Sequence, residues 1–243
     1  MVLVVGPSGR YVKSLYCAAG LMIAMAIAIV SAAAYGTIPK RSVAGTTVHS
    51  SADPAINIRL PPDILYVGTD KFTISKPSTA NECQLFAFAM AGADGSLAKL
   101  YWVHFENILP RFPKASMVYD GTYHQKISGM EFVVDTDVSD GTRTPAAGSD
   151  TEHFYNLLAS RGYKRTPMMF VRFVHLLDRA KRKELMIIVG ESLPPGMTSD
   201  SLKPGGAAYL QRPAIDREFV SRAIRSITIT SVPKNSVDRR NSE

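Results

Sequence analysis

Glu82 to Leu109 reads ECQLFAFAMAGADGSLAKLYWVHFENIL and carries the strongest secondary-structure signal in the chain. Residues 82–90 and 97–106 are rich in aromatic and aliphatic side chains, and ADGS at 93–96 is a cluster of turn-forming residues. This pattern predicts a β-hairpin. Because strand 97–106 has large side chains on both faces, we expect it to be central in its sheet and covered on both sides.

The other strand signals also come mostly as neighbouring pairs. DILYVGTDKFTIS (63–75) predicts a short hairpin that turns at Gly68-Thr69-Asp70, and GMEFVVDTDVS (129–139) predicts a single strand. MMFVRFVHLL (168–177) and ELMIIVGE (184–191) predict a further hairpin with its turn at 178–183, and ITIT (227–230) predicts a last short strand.

Two segments have helical signals. Ser149 and Glu152 form a capping box before a helix predicted from Asp150 to Arg161, with Gly162 following its C-terminal end. DREFVSRAIRS (216–226) predicts a second helix, capped by Asp216. Paired strands with late helices indicate an α+β fold. We expect a mainly antiparallel sheet built from hairpins, two or three covering helices, and one N-terminal hydrophobic helix before them.

The N-terminal hydrophobic segment runs from Leu15 to Tyr35 without a charged residue. About 21 residues in a helix span about 30 Å, the thickness of the hydrocarbon core of a bilayer, which favours a retained anchor. Ser31-Ala32-Ala33-Ala34 equally fits a signal-peptidase site, with cleavage after Ala34. We expect the C-terminal domain to lie outside the cytoplasm in both cases, either as a single-pass membrane protein or as a periplasmic or secreted protein.

The resulting domain organisation has five parts. They are a short cytoplasmic N-terminus (1–14), a transmembrane helix or signal-peptide core (15–35), a flexible tether (36–60), a single α+β domain (61–232) and a frayed polar tail (233–243).

The formal charge of +7 at pH 7 is mildly basic, and no nucleic-acid-binding module accompanies it, so we expect no nucleic-acid partner. The two cysteines are Cys17 in the apolar segment and Cys83 in the main domain, and we interpret Cys83 as a buried small hydrophobic residue. No motif indicates a cofactor. The expected partners are the membrane, through residues 15–35, and a protein of the cell envelope.

His104 and Glu106 are candidate catalytic residues. They lie two positions apart on one strand, so both side chains emerge on the same face about 7 Å apart, beside Trp102. A histidine and a carboxylate in this arrangement suit acid–base chemistry. The alternative is the polar end of a strand that leaves the core.

Asp135 and Asp137 are candidate metal ligands, since they share one strand face in the same way. The sequence DTDVSDG (135–141) follows only part of a calcium-loop pattern, because its third acid is one place late. The alternative is a solvated edge strand.

The basic residues Arg179, Lys181, Arg182 and Lys183 form the densest cluster of charge in the chain. They are candidates for contact with anionic lipid headgroups or an acidic partner, and a solvated turn is the alternative.

No complete catalytic motif is present. The sequence therefore favours a membrane-anchored exported domain that acts in binding or in envelope assembly. The alternative is a small exported hydrolase that uses the His104–Glu106 pair or the Asp135–Asp137 pair.

Overall fold

The structure is a computed structural model that describes residues 40–92, 94–119 and 123–232. The predicted N-terminal hydrophobic helix and the predicted polar tail from residue 233 lie outside the described residues. The described part has an α+β fold with two antiparallel sheets and two α-helices. The strands are β1 (Arg41–Ala44), β2 (Thr47–Ser50), β3 (Ile56–Arg59), β4 (Leu65–Lys76), β5 (Thr79–Ala91), β6 (Leu97–Ile108), β7 (His124–Ile127), β8 (Met130–Ser139), β9 (Met168–Leu176), β10 (Lys183–Ser192) and β11 (Thr228–Ser231).

The larger sheet has seven strands in the order β4-β5-β6-β10-β9-β8-β7. The predicted hairpin 82–106 is confirmed as β5 and β6, and the predicted hairpin 168–191 as β9 and β10. Strand β6 lies inside the sheet between β5 and β10, and Leu100 to Phe105 are all buried, as expected for a central strand.

One face of the large sheet packs against the small sheet, which has the order β1-β2-β3-β11, and against helix α2 (Arg212–Ser226). The core between these layers includes Val48 and Ile58 of the small sheet, Phe219 of α2, and Phe105 and Phe173 of the large sheet. The opposite face packs against helix α1 (Asp150–Ser160) through Phe154 and Leu158.

Helix α1 confirms the predicted cap at Ser149, whereas the return bond of the capping box goes to Gly148 and not to Ser149. Ser149 Oγ accepts a hydrogen bond from the backbone N–H of Glu152 at 3.1 Å, and Glu152 Oε2 accepts one from Gly148 at 2.7 Å. Gly162, after the helix, has a φ of +79°, a conformation that glycine adopts readily.

The structure differs from the predicted tether, because residues 41–59 form β1, β2 and β3 instead. These strands have only four residues each, which is too short to give a clear hydrophobic periodicity. They are ordered by packing, since Val48, Ile56 and Ile58 are buried against the large sheet.

The predicted hairpin at 63–75 is wrong, because residues 65–75 belong to the continuous strand β4 and no turn interrupts them. Gly68 marks a register shift after Tyr66 and a close approach of α1, where an added Cβ would lie 3.2 Å from Leu157 Cδ2. The glycine therefore accommodates the helix and does not form a turn.

The predicted cap at Asp216 is also wrong. Helix α2 begins at Arg212 and has Pro213 in its first turn, a position where proline is favoured. Asp216 lies one turn further along and forms an ion pair with Arg212.

Candidate functional site

The candidate sites lie on the face of the large sheet that carries α1. On β6, the side chains of Leu100, Trp102, His104 and Glu106 alternate onto this face. The antiparallel register places Ile188 beside Trp102 and Glu184 beside Glu106 on β10, and Cys83 beside Glu106 on β5. A cleft adjoins the Leu100–Trp102 end of this row, and a buried polar cluster surrounds the His104–Glu106 end.

The cleft has a volume of about 650 Å³ and lies between α1, the large sheet and the loop that follows β8. Its apolar lining consists of Leu100, Trp102, Phe154, Tyr155, Phe170 and Ile188. Phe154 and Trp102 form a stacked pair with ring centroids 4.6 Å apart and planes 9° apart. An aromatic floor and a volume between about 300 and 1,000 Å³ are typical of small-molecule sites.

The polar rim of the cleft carries more positive than negative charge. Arg143, Arg165 and Arg172 line it together with Asp135 and Asp137. Arg172 and Asp135 pair through two nitrogens of the guanidinium. Among the described residues, no carboxylate pairs with Arg143 or Arg165. Arg165 instead donates to the backbone oxygen of Arg143 and lies over the ring of Tyr155.

The buried cluster brings His104 and Glu106 together, with His104 Nε2 and Glu106 Oε2 3.9 Å apart. The side chain of His104 is fully buried and that of Glu106 is 13% exposed. Asn81 donates a hydrogen bond to Glu106 Oε1. The Cys83 thiol, also buried, donates to the backbone oxygen of Asn81 at 3.6 Å.

Burial changes the proton affinities of this cluster. It lowers the pKa of His104 to about 4, so the imidazole is neutral at pH 7. It also raises the pKa of Glu106, an effect that the hydrogen bond from Asn81 opposes, and the pKa of the Cys83 thiol.

Glu184 extends the cluster onto β10. Its carboxylate oxygen Oε2 accepts a hydrogen bond from the hydroxyl of Tyr119. Burial, together with the nearby charge of Glu106, raises the pKa of Glu184 to about 7. Burial and Glu184 in turn raise the pKa of Tyr119.

Asp135 and Asp137 both line the cleft, and the carboxylate of Asp135 is held by Arg172. They lie on the part of β8 beyond its pairing with β7, which ends at Val133, so this segment is an edge of the sheet. Asp137 Oδ1 accepts a hydrogen bond from the backbone N–H of Val138 at 2.8 Å. A cation bound between the two aspartates stays a prediction.

The four residues of the basic cluster at 179–183 lie in two different environments. Arg179 and Lys181 are exposed. Arg182 instead donates to the backbone oxygens of Ile108, Leu109, Phe112 and Ala115, and Lys183 pairs with Asp53 at 3.0 Å. Contact of this cluster with an anionic surface stays a prediction, and within the cluster Arg179 and Lys181 are the two exposed residues.

Sequence reasoning misses two residues of these sites, since it assigns no role to Glu184 or Tyr119. The interpretation of Cys83 as a buried residue is confirmed, but its place beside Glu106 is not among the predictions. The position of Cys83 follows from the register of the β5–β6 hairpin, which shifts between Met90 and Ala91 and places Cys83 opposite Glu106. Glu184 and Tyr119 reach the cluster only through contacts between segments distant in sequence.

Comparisons with protein-family models, with curated proteins and with solved structures found no significant match to this chain. Within residues 40–92, 94–119 and 123–232, no helix is long and apolar enough to cross a membrane.

Proposed function

We propose that this chain is an exported, membrane-anchored binding domain that takes a small amphipathic anion into the cleft beside α1. The observation that carries the proposal is the combination of an aromatic floor with two rim arginines, Arg143 and Arg165, that no described carboxylate neutralises. The apolar segment 15–35 supports the anchor and the export, with the membrane as one partner and an envelope protein as another.

The floor and the rim define the class of ligand. Tyr155, Phe170 and Ile188 are partly exposed and offer apolar surface to a hydrocarbon chain or a ring, above the buried Trp102–Phe154 pair. Arg165 offers guanidinium donors that suit a carboxylate or a phosphate, and such charge-assisted hydrogen bonds are stronger than neutral ones. A small molecule with an apolar body and one anionic group satisfies both parts.

The alternative of a hydrolase has less support from the geometry. His104 and Glu106 lie close together, but both are largely buried and neither lines the cleft. Asp135 lines the cleft, but its carboxylate is paired with Arg172.

The single tryptophan of the chain, Trp102, lines the cleft and provides the test. We expect sodium octanoate to change the Trp102 emission of the purified full chain and to release or absorb heat in calorimetry. We expect 1-octanol, which has the same chain without the charge, to bind more weakly. Unchanged emission with both compounds, or equal affinity for both, contradicts the proposal.

Matched variants locate the anion. Arg165→Gln removes one rim charge and is expected to weaken octanoate binding about tenfold, as for the loss of one charge-assisted hydrogen bond, while octanol binding stays unchanged. Arg217→Gln makes the same change at an exposed position of α2 that does not line the cleft and is the control. Equal effects of the two substitutions contradict a specific role for the rim.

A further inference from the structure

We propose that Cys83, His104 and Glu106 form a binding site for a zinc ion on the α1 face of the large sheet. The site is separate from the cleft and does not depend on the cleft ligand. Among the described residues, these three side chains are a group whose possible ligand atoms all lie within 4.8 Å of one another.

The positions of the three donors follow from the strand register. Cys83 and Glu106 are directly opposed across the β5–β6 pair, and His104 is two residues from Glu106 on the same face. Two adjacent strands therefore hold all three donors, and no flexible loop is needed to bring them together.

The spacing suits a tetrahedral ion. Zinc bonds of about 2.0–2.3 Å place neighbouring ligand atoms about 3.3–3.6 Å apart. His104 Nε2 and Glu106 Oε2 are already 3.9 Å apart. Side-chain rotations that move the donors inward by less than about 1 Å are therefore enough to bind the ion, with a fourth position left for water.

His104 differs from the other four histidines of the chain. His49, His124, His153 and His175 each have a hydrogen-bond or ion-pair partner at 2.7–2.9 Å. Both ring nitrogens of His104 are buried without a hydrogen-bond partner among the described residues. Burying an unsatisfied polar group is unfavourable, and a metal bond at Nε2 would satisfy one of the two nitrogens.

The surroundings orient the donors and shield them from bulk solvent. Asn81 fixes Glu106 through Oε1, which leaves Oε2 directed at His104. The rings of Trp102 and Phe72 lie 5.8 and 6.1 Å from the His104 ring, measured between centroids. A thiolate, an imidazole and a carboxylate are all ligands that zinc takes, whereas magnesium and calcium prefer oxygen ligands alone.

The first experiment measures metal content. Full chain refolded with zinc and dialysed is expected to retain one zinc per chain by mass spectrometry of the metal. Cobalt loaded in the same way is expected to give tetrahedral visible bands and a near-ultraviolet band from thiolate-to-cobalt charge transfer. A chain that retains no zinc, or cobalt without the thiolate band, overturns the proposal.

Paired variants locate the metal. Cys83→Ala and Glu106→Gln are expected to weaken zinc binding by at least about 100-fold, because each removes a ligand and even outer partners of metal ligands contribute 10–100-fold. Cys17→Ala and Glu82→Gln make the same changes at the other cysteine and at an exposed glutamate of β5, and should bind zinc as the wild type does. Wild-type affinity in Cys83→Ala, or a loss in Cys17→Ala, overturns the site.

Zinc-edge X-ray absorption of the wild-type protein gives an answer that does not depend on whether a variant folds. One sulfur with two or three nitrogen or oxygen ligands is expected. A zinc shell without sulfur overturns the site.

Discussion

Glu106 on β6 and Glu184 on β10 lie directly opposite each other on one face of the large sheet, and both side chains are largely buried. Their hydrogen-bond partners are neutral, since Asn81 donates to Glu106 and Tyr119 donates to Glu184. Among the described residues, no lysine or arginine forms an ion pair with either carboxyl group. Two opposed carboxylates without an ion-pair partner disfavour ionisation of both. Burial and repulsion by Glu106 therefore raise the pKa of Glu184, against the opposing effects of Tyr119 and Arg172.

The first prediction concerns stability against pH in the presence of a chelator. Glu184 has a pKa of about 7 in the folded protein and 4.5 as its ordinary value. Between these values the folded protein binds more protons than the unfolded chain, so the free energy of unfolding falls as the pH rises. At 1.36 kcal/mol per pKa unit, the loss in the free energy of unfolding is at most about 3 kcal/mol. The loss is absent at pH values below the ordinary pKa and complete at pH values above the pKa of the folded protein.

Urea unfolding of the wild type and of Glu184→Gln between pH 4 and about 8 measures this loss. Because glutamine stays neutral, the variant is expected to be the more stable protein above pH 7 and to match the wild type near pH 4. Glu82→Gln, at an exposed position of β5, should follow the wild-type curve. Parallel curves for Glu184→Gln and the wild type contradict the prediction.

The second prediction concerns Tyr119, whose hydroxyl donates to Glu184 Oε2 and lowers the pKa of that carboxyl group against the larger effect of burial. Tyr119→Phe removes the hydrogen bond to the charged form of Glu184. We expect the pH-dependent loss of stability to extend to higher pH than in the wild type, with an additional destabilisation of about 1 kcal/mol at pH 8. The same series of urea unfolding curves measures this. A pH-dependent loss of stability that occurs at lower pH than in the wild type contradicts the prediction.

The third prediction concerns Arg182, whose guanidinium donates to four backbone oxygens between Ile108 and Ala115. Lysine keeps the charge but has no planar fork of donors, so Arg182→Lys cannot satisfy the four oxygens together. We expect a loss of about 2 kcal/mol in the free energy of unfolding. Arg179→Lys, at an exposed position nearby, is the control and is expected to change stability by less than about 0.5 kcal/mol. Equal effects of the two substitutions contradict the structural role of Arg182.

The part of the buried cluster that is formed by one hairpin was predictable from the sequence. The predicted turn brings β5 and β6 together as neighbours, and their register, which shifts between Met90 and Ala91, places Cys83 opposite Glu106. The alternation of side chains then places His104 on the same face. These relationships depend on neighbouring residues alone, which is why a local pattern contains them.

The remainder of the cluster and the small sheet depend on contacts between distant segments. Glu184 reaches Glu106 only because β10 pairs with β6, and Tyr119 approaches from the segment after β6. In the same way β3 pairs with β11, so that Ile58 lies opposite Ile229 although the two strands are near opposite ends of the domain. Four-residue strands have too little periodicity to indicate such a partner, and tertiary packing decides their structure.

The last prediction concerns Gly141, which lines the cleft at the start of the loop after β8. Its φ is +78°, and an added Cβ would lie 2.7 Å from the backbone oxygen of Thr166. Because both atoms belong to or are fixed by the backbone, no side-chain rotation can relieve this contact. Gly148, at the other end of the loop, has a φ of +69° with nothing within 4 Å of an added Cβ. The two glycines therefore separate the cost of a positive φ from the cost of a clash.

Gly148→Ala is expected to cost about 1 kcal/mol in the free energy of unfolding, the usual penalty of a left-handed conformation for alanine. Gly141→Ala is expected to cost a further 1–3 kcal/mol, roughly the penalty of overpacking, and to change Trp102 emission because the cleft wall must move. Urea unfolding followed by Trp102 fluorescence measures both effects in one experiment. If both variants lose the same free energy of unfolding, the backbone at Thr166 can move away from the added methyl group. Gly141 is then not needed to keep the cleft wall in place.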